Sequence, residues 1–198
     1  MKTVIIFNAP PNSGKDACCE YLGERYGAHH TYFKKSLYDV AAKTSGLRLE
    51  YIKSVCTDRK YKEFLNAFMV VNREQVTPRQ YLIHISENVI KPVCGKDYFG
   101  NKIAEEIVNT PNNLIVVSDG GFEEELLPLL NLPDTKVIVV RLYRDGCNFN
   151  NDSRKYFTDE FLDANNITSW ELFNTSDLEG LYHSCEALMK RIQENNND

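Results

Sequence analysis

No stretch of this chain approaches the roughly 20 consecutive apolar residues that a bilayer-spanning helix needs. Apolar runs such as "VIIF" at 4–7 end after a few residues. That run is too short for a secretory leader and is followed at once by Pro and Gly, so no signal peptide is expected. Basic residues are also in deficit. The chain has 23 Lys and Arg against 28 Asp and Glu, a net charge of −5. Broad nucleic-acid binding relies on many cations neutralising phosphates, so it is not expected here. A small anion held in a local basic pocket stays compatible with that balance. Paired cysteines are missing too. Cys18, Cys19, Cys56, Cys94, Cys147 and Cys185 include no C-x-x-C pair and no partnered His, and read as reduced thiols of an intracellular protein. His29, His30 and His84 lack metal-ligand spacing. The expectation is a soluble, cytoplasmic protein with neither membrane nor nucleic acid as partner.

What is present alternates regularly. "TVIIFN" (3–8), "NLIVVSD" (113–119) and "TKVIVVRLY" (135–143) are short, nearly all apolar and rich in β-branched residues, the pattern of buried parallel strands. "AHHTYFK" (28–34) and "SWELFN" (169–174) are weaker strand candidates. Helical patterns cover 15–26, 36–45, 49–56, 58–72, 78–91, 97–109, 121–131, 157–164 and 177–194. This alternation predicts an α/β fold, a parallel sheet of about five strands flanked by helices in three layers. The helical block 36–110 is not needed to build the sheet and is expected to carry a substrate pocket, within one domain spanning 1–198. A polar loop at 144–157 follows a strand and reads as lid-like. The Asn-rich tail "QENNND" is expected to fray.

The chemistry begins at "APPNSGKD" (9–16), between a strand and a helix. It keeps the spacing of G-x-x-x-x-G-K-[ST], with Ala9 first, Gly14 and Lys15 in place, and Asp16 last. In that pattern backbone N–H groups and a helix N-terminus cradle phosphate while the Lys reaches the outer phosphates. Asn12, Ser13, Gly14, Lys15, Asp16 and Ala17 are therefore expected to bind a nucleotide. A carboxylate beside polyphosphate calls for a divalent cation between them. Asp16 is a candidate Mg²⁺ ligand; the alternative is a helix cap.

Other residues converge on anion chemistry. Arg79 opens a helix after Thr-Pro, where the dipole favours anions, so it is expected to face an external one such as a substrate phosphate. Asp119 ends a strand whose carboxyl end lines the ligand crevice of open α/β sheets. It is a candidate for Mg²⁺, for Lys15 or for a substrate sugar, or a turn former. Arg144 at the lid mouth is a catalytic candidate, and Arg141 either joins it or pairs a carboxylate within the fold. Arg154 in the lid-like loop and Lys35, with Lys34 beside it, are candidate substrate contacts, surface lysines being the alternative for the latter.

A loop ending Gly-Lys-Asp resembles that of the bacteriophage-type deoxynucleoside monophosphate kinases, within the P-loop nucleoside and nucleotide kinase superfamily. "FKKSLYDVAAKTSG" (33–46), "TPRQYLIHISENVIKPVCGKDYFGNKIAEEI" (77–107), "LIVVSDGGFEEEL" (114–126), "VIVVRLYRDG" (137–146) and "FNTSDLEGLYHSCEALM" (173–189) resemble further family segments in order. The resemblance implies a P-loop kinase fold and phosphorylation of (deoxy)nucleoside monophosphates by ATP with Mg²⁺. It sets Arg141 and Arg144 on a strand that runs into an Arg-bearing lid, where with Lys15 they are the catalytic candidates, Arg79 on the substrate-binding helix and Asn174 at the nucleotide base. A homodimer is common among such kinases. The chain departs from the pattern at Ala9, at Gly121 where the family has Arg, and at Arg154, where the usual run is H-x-S-E. A kinase for another small phosphate acceptor and an inactive nucleotide-binding regulator remain the alternatives.

Overall fold

A computed structural model of the chain describes residues 1–58, 60–150 and 152–194. The last four residues of the tail, where fraying is expected, lie outside the described residues, as does Asn151 in the lid-like loop.

Five strands form one parallel sheet: β1 (Lys2–Asn8), β2 (His29–Thr31), β5 (Leu114–Gly120), β6 (Thr135–Tyr143) and β7 (Thr168–Phe173), in the order β2-β5-β1-β6-β7. All five were legible as strand patterns. The period of two sends alternate residues of each strand to opposite faces. Ile5, Phe7, Val116, Ile138 and Val140 pack against α1 (Lys15–Tyr26) and α9 (Leu178–Glu194). Val4, Ile6, Ile115, Val117, Val137 and Val139 pack on the other face against α2 (Lys34–Ser45), α3 (Leu49–Thr57), α6 (Tyr98–Asn109) and α7 (Glu123–Leu130). With both faces covered, the strands read as continuous apolar runs. A short α8 (Asp159–Ala164) joins β6 to β7. No helix among the described residues is long and apolar enough to cross a membrane.

The block 36–110 departs from its expected form in two places. The helix expected over 58–72 is instead largely a hairpin, β3 (Asn66–Val71) and β4 (Glu74–Val76), paired antiparallel. Its loop is Asn72-Arg73, both with positive φ (52° and 71°), the two-residue geometry that matches strand twist. The β-branched end "MVV" favours the extended chain, and Met69 anchors the hairpin in the core. The helix expected over 78–91 is broken into α4 (Pro78–His84), a π-helical stretch (Ile85–Ile90) and α5 (Lys91–Cys94). Pro92 is the physical cause: it lacks the N–H for an i→i−4 bond and its ring crowds the carbonyl four residues back. Helix α4 starts on a reciprocal cap, Gln80 N–H to Thr77 Oγ1 at 3.1 Å and Thr77 N–H to Gln80 Oε1 at 3.0 Å.

Candidate active site

Strand β1 is central, flanked by β5 on one side and β6 on the other, so its carboxyl end lies where the chain changes direction across the sheet. The loop 9–16 leaves from that end. Ala9 is wholly buried among the side chains of β1, α1 and α9, which accounts for a small apolar residue at the loop's first position. Asn12 (φ 71°) and Gly14 (φ 104°) take left-handed conformations. The left-handed φ of Gly14 favours glycine, and a Cβ there would also stand 2.9 Å from the side-chain ends Asn174 Nδ2 and Leu181 Cδ2, which would have to shift.

Three cross-braces hold the loop. Ser13 Oγ and Lys15 Nζ both donate to the Pro10 carbonyl, at 2.9 and 3.3 Å. Asn174, just past β7, donates from Nδ2 to the Ser13 carbonyl at 2.8 Å while its own N–H bonds to the Tyr143 carbonyl. Arg144 Nη1 donates to the Asn12 carbonyl at 3.0 Å. Lys15 is buried, and burial lowers its pKa, with the Asp16 carboxylate partly offsetting that and Arg154 reinforcing it. Asp16 stands exposed in the first turn of α1, whose N-cap is Gly14.

Asp119, at the end of β5, accepts the backbone N–H groups of Phe33 and Lys34 at 2.7 and 3.1 Å, one on each carboxylate oxygen. It therefore pins the start of α2 to the sheet. Lys34 enters the same neighbourhood. Its pKa is lowered by burial, then by the Arg154 guanidinium, with Lys15 adding to the effect. Arg154 is buried and bidentate to Asp152, Nε to Oδ1 at 3.0 Å and Nη2 to Oδ2 at 2.7 Å. Burial acts to raise the Asp152 carboxyl, but the hydrogen bonds and charge of Arg154 outweigh it and hold that group well below the usual carboxylate range. Lys15, Lys34 and Arg154 thus share one charged neighbourhood at the carboxyl ends of β1 and β5.

Other expected site residues lie elsewhere or are otherwise engaged. Lys35 Nζ pairs with Glu106 on α6 at 2.8 Å, and His29 Nε2 reaches the same carboxylate at 2.7 Å. Its neighbour Lys34, not Lys35, joins the charged cluster. Arg141 pairs with Asp159 at 2.7 Å and lies 3.6 Å from Glu171, which fits the alternative that it serves the fold. Arg79 pairs with Glu63 at 3.1 Å.

One buried polar residue beside the loop was missed in the sequence. Asn8 is fully buried at the end of β1; Nδ2 donates to the carbonyls of Gly120 (3.1 Å) and Lys155 (2.9 Å), and Oδ1 accepts the Phe157 N–H at 2.8 Å. A register shift between Ile6 and Asn8 sets it opposite Gly120. An Asn ending an apolar strand was the available clue. At the ends of β6 and β7, Tyr143 stacks on Phe173 with ring centroids 5.2 Å apart, and Tyr156 of the lid-like loop lies 4.8 Å from Tyr143.

No protein-family model matches the chain, and no curated protein does. Among solved structures, a dephospho-CoA kinase from Campylobacter jejuni is similar at a TM-score of 0.50 and 16% identity, over 99% of this chain and 100% of the other. A gluconokinase from Sinorhizobium meliloti 1021 gives a TM-score of 0.47 at 9% identity, over 99% and 95% of the two chains. A shikimate kinase from Acinetobacter baumannii, in complex with shikimate, gives 0.46 at 10%, over 98% and 94%. At the first of these likenesses, together with the five-stranded parallel sheet and its flanking helices, the fold is the three-layer α/β fold of P-loop kinases.

Proposed function

We propose that the chain is an ATP-dependent phosphotransferase acting on (deoxy)nucleoside monophosphates. The observation that carries this reading is the convergence of three cations at the carboxyl ends of β1 and β5: Lys15 on the loop after β1, Lys34 held to Asp119 through its N–H, and Arg154 with its stem against Gly121. Binding one nucleotide needs the first cation; two further cations suit a second anion brought up to the first. In that reading an oxygen of the acceptor phosphate attacks the γ-phosphorus, the bond to the β–γ bridging oxygen breaks, and ADP leaves. The chain's part is to align two anions and offset their charge with preorganised donors. Asn12 to Ala17 supply backbone N–H groups, Lys15 the outer-phosphate contact, and Arg144, braced on the loop, charge at the lid mouth. Asn174 steadies the loop beside the base. Region 36–110 would hold the acceptor and 144–157 would cover the site.

Mg²⁺ takes one or two carboxylates and completes its shell with water and phosphate oxygens. The residues fit such an ion: Asp16 is exposed beside Lys15, whereas both oxygens of Asp119 already accept amides. Asp16 is thus the carboxylate we assign to it. The metal, when bound, would offset charge on the phosphates.

The test is ADP release from ATP and Mg²⁺ with dTMP, dGMP, dCMP, dAMP and the ribonucleotides as acceptors. Stimulation by at least one is expected. The pairing of Arg79, expected to face a substrate phosphate, with Glu63 favours a second reading, a kinase for another small acceptor. Stimulation by a non-nucleotide acceptor alone would establish it. ATP binding without release in any combination would leave a nucleotide-binding regulator.

A further inference from the structure

Gly121 directly follows β5, and the space its side chain would take is filled. A Cβ built there would stand 2.5 Å from Arg154 Cβ, 2.8 Å from Cγ and 3.0 Å from Cδ. Those distances are too short for any side chain, so glycine at 121 and the inward stem of Arg154 require each other. The backbone agrees, since the Lys155 N–H points at the Gly121 carbonyl at 3.5 Å. Asn8 ties the next stretch down through Lys155 O and Phe157 N. Asp152 takes Nε and one edge of Nη2. An arginine has five N–H donors, and those of Nη1 reach no protein acceptor among the described residues.

We propose that Arg154 is a phosphate-binding residue seated through the gap at Gly121, with Asn8 and Asp152 as the positioning residues that aim its free edge at the anion held by Lys15 and Lys34. The arginine that the resemblance would place at 121 is absent, and the lid-like loop brings Arg154 across the backbone of that residue instead. The geometry has a physical advantage. A bidentate carboxylate fixes the guanidinium plane before the anion arrives, so little side-chain entropy remains to be lost on binding. This inference rests on the proposed reading of the crevice as a polyphosphate site, but it does not need catalysis.

The probe is inorganic pyrophosphate, its affinity measured by calorimetry on the full chain. Arg154→Gly should weaken binding by about ten- to a hundredfold, the range of a lost charge-assisted contact. Gly121→Ala should cost a similar factor by displacing the stem. The double variant Gly121→Ala/Arg154→Gly should be no weaker than the worse single variant by more than about threefold, because both act on one group. Free guanidinium, at millimolar concentrations too low to denature, should restore binding to Arg154→Gly and leave the wild type unchanged. Should Gly121→Ala fail to fold, Asp152→Asn replaces it and should weaken pyrophosphate while still unfolding in one cooperative transition, at a lower temperature because a buried ion pair is broken. Additive losses in the double variant, absent guanidinium rescue, or unchanged affinity in Arg154→Gly would each overturn the assignment, as would a wild type that does not bind pyrophosphate. A wild type that binds it with the expected variant pattern, yet releases no ADP with any acceptor, leaves this inference standing and removes the kinase reading alone.

Discussion

Lys15 and Glu125 show what single residues cost and supply. Lys15 is a buried cation whose nearest bond is a 3.3 Å contact with a loop carbonyl. Burying such a charge opposes folding, and an incoming phosphate offsets that cost. Lys15→Met is therefore expected to raise the urea midpoint, by about 1 kcal/mol of stability, while cutting ADP release by about a hundred- to a thousandfold. A variant with wild-type turnover would remove Lys15 from the mechanism. Glu125 sits 5% exposed on α7, and burial followed by repulsion from Asp119 pushes its carboxyl up to about 8. The folded protein thus holds this proton more tightly than the unfolded chain does. The resulting stability is present at acid pH and is lost as pH rises through about 8. Glu125→Gln should flatten that decline, gaining on the wild type by on the order of 3 kcal/mol between about pH 5.5 and about pH 8.5. Parallel pH curves in urea melts would contradict it.

Among the elements, the hairpin β3–β4 and the loop after β1 fared differently in the sequence. The turn after β1 was readable because its spacing, Gly14, Lys15 and the flanking strand and helix are all local. The hairpin was not, since "FLNAFMVVNREQV" supports a helical period, and Asn-Arg is an uncommon occupant of a two-residue turn. What selects the strand form is burial of Met69 against the helical layer, a contact invisible along the chain. Arg73, with φ 71°, pays for its left-handed conformation. Arg73→Gly should therefore stabilise the protein by about 0.5–1 kcal/mol, the left-handed penalty less the added freedom of the unfolded chain. Chemical denaturation checks this, and a loss of stability would show that the Arg73 side chain makes contacts worth more than the strain.

For the molecule as a whole, the two cores on either face of the sheet adjoin the loops at the carboxyl ends of its central strands, so a ligand bound there should be felt globally. At about a hundred times its Kd, a ligand of the folded state adds about 2.7 kcal/mol. For a chain of this size that is a rise in melting temperature of about 5–10 °C. ATP with Mg²⁺ should produce it, and Lys15→Met should abolish most of it. An equal shift in both proteins would place ATP elsewhere.

The sequence by itself determined the layered α/β fold, since buried parallel strands must be apolar on both faces and the three central ones, β5, β1 and β6, are. It also determined the place of the loop 9–16 between β1 and α1, whose spacing is encoded within eight residues. Only the tertiary structure decided which cations meet there. Lys34 and Lys35 differ by one helical step, and the turn of α2 sends one to the charged neighbourhood and the other to Glu106. Arg154 is 33 residues beyond Gly121, and nothing along the chain relates them. Their pairing follows from excluded volume, because two side chains cannot occupy the space that one glycine leaves open.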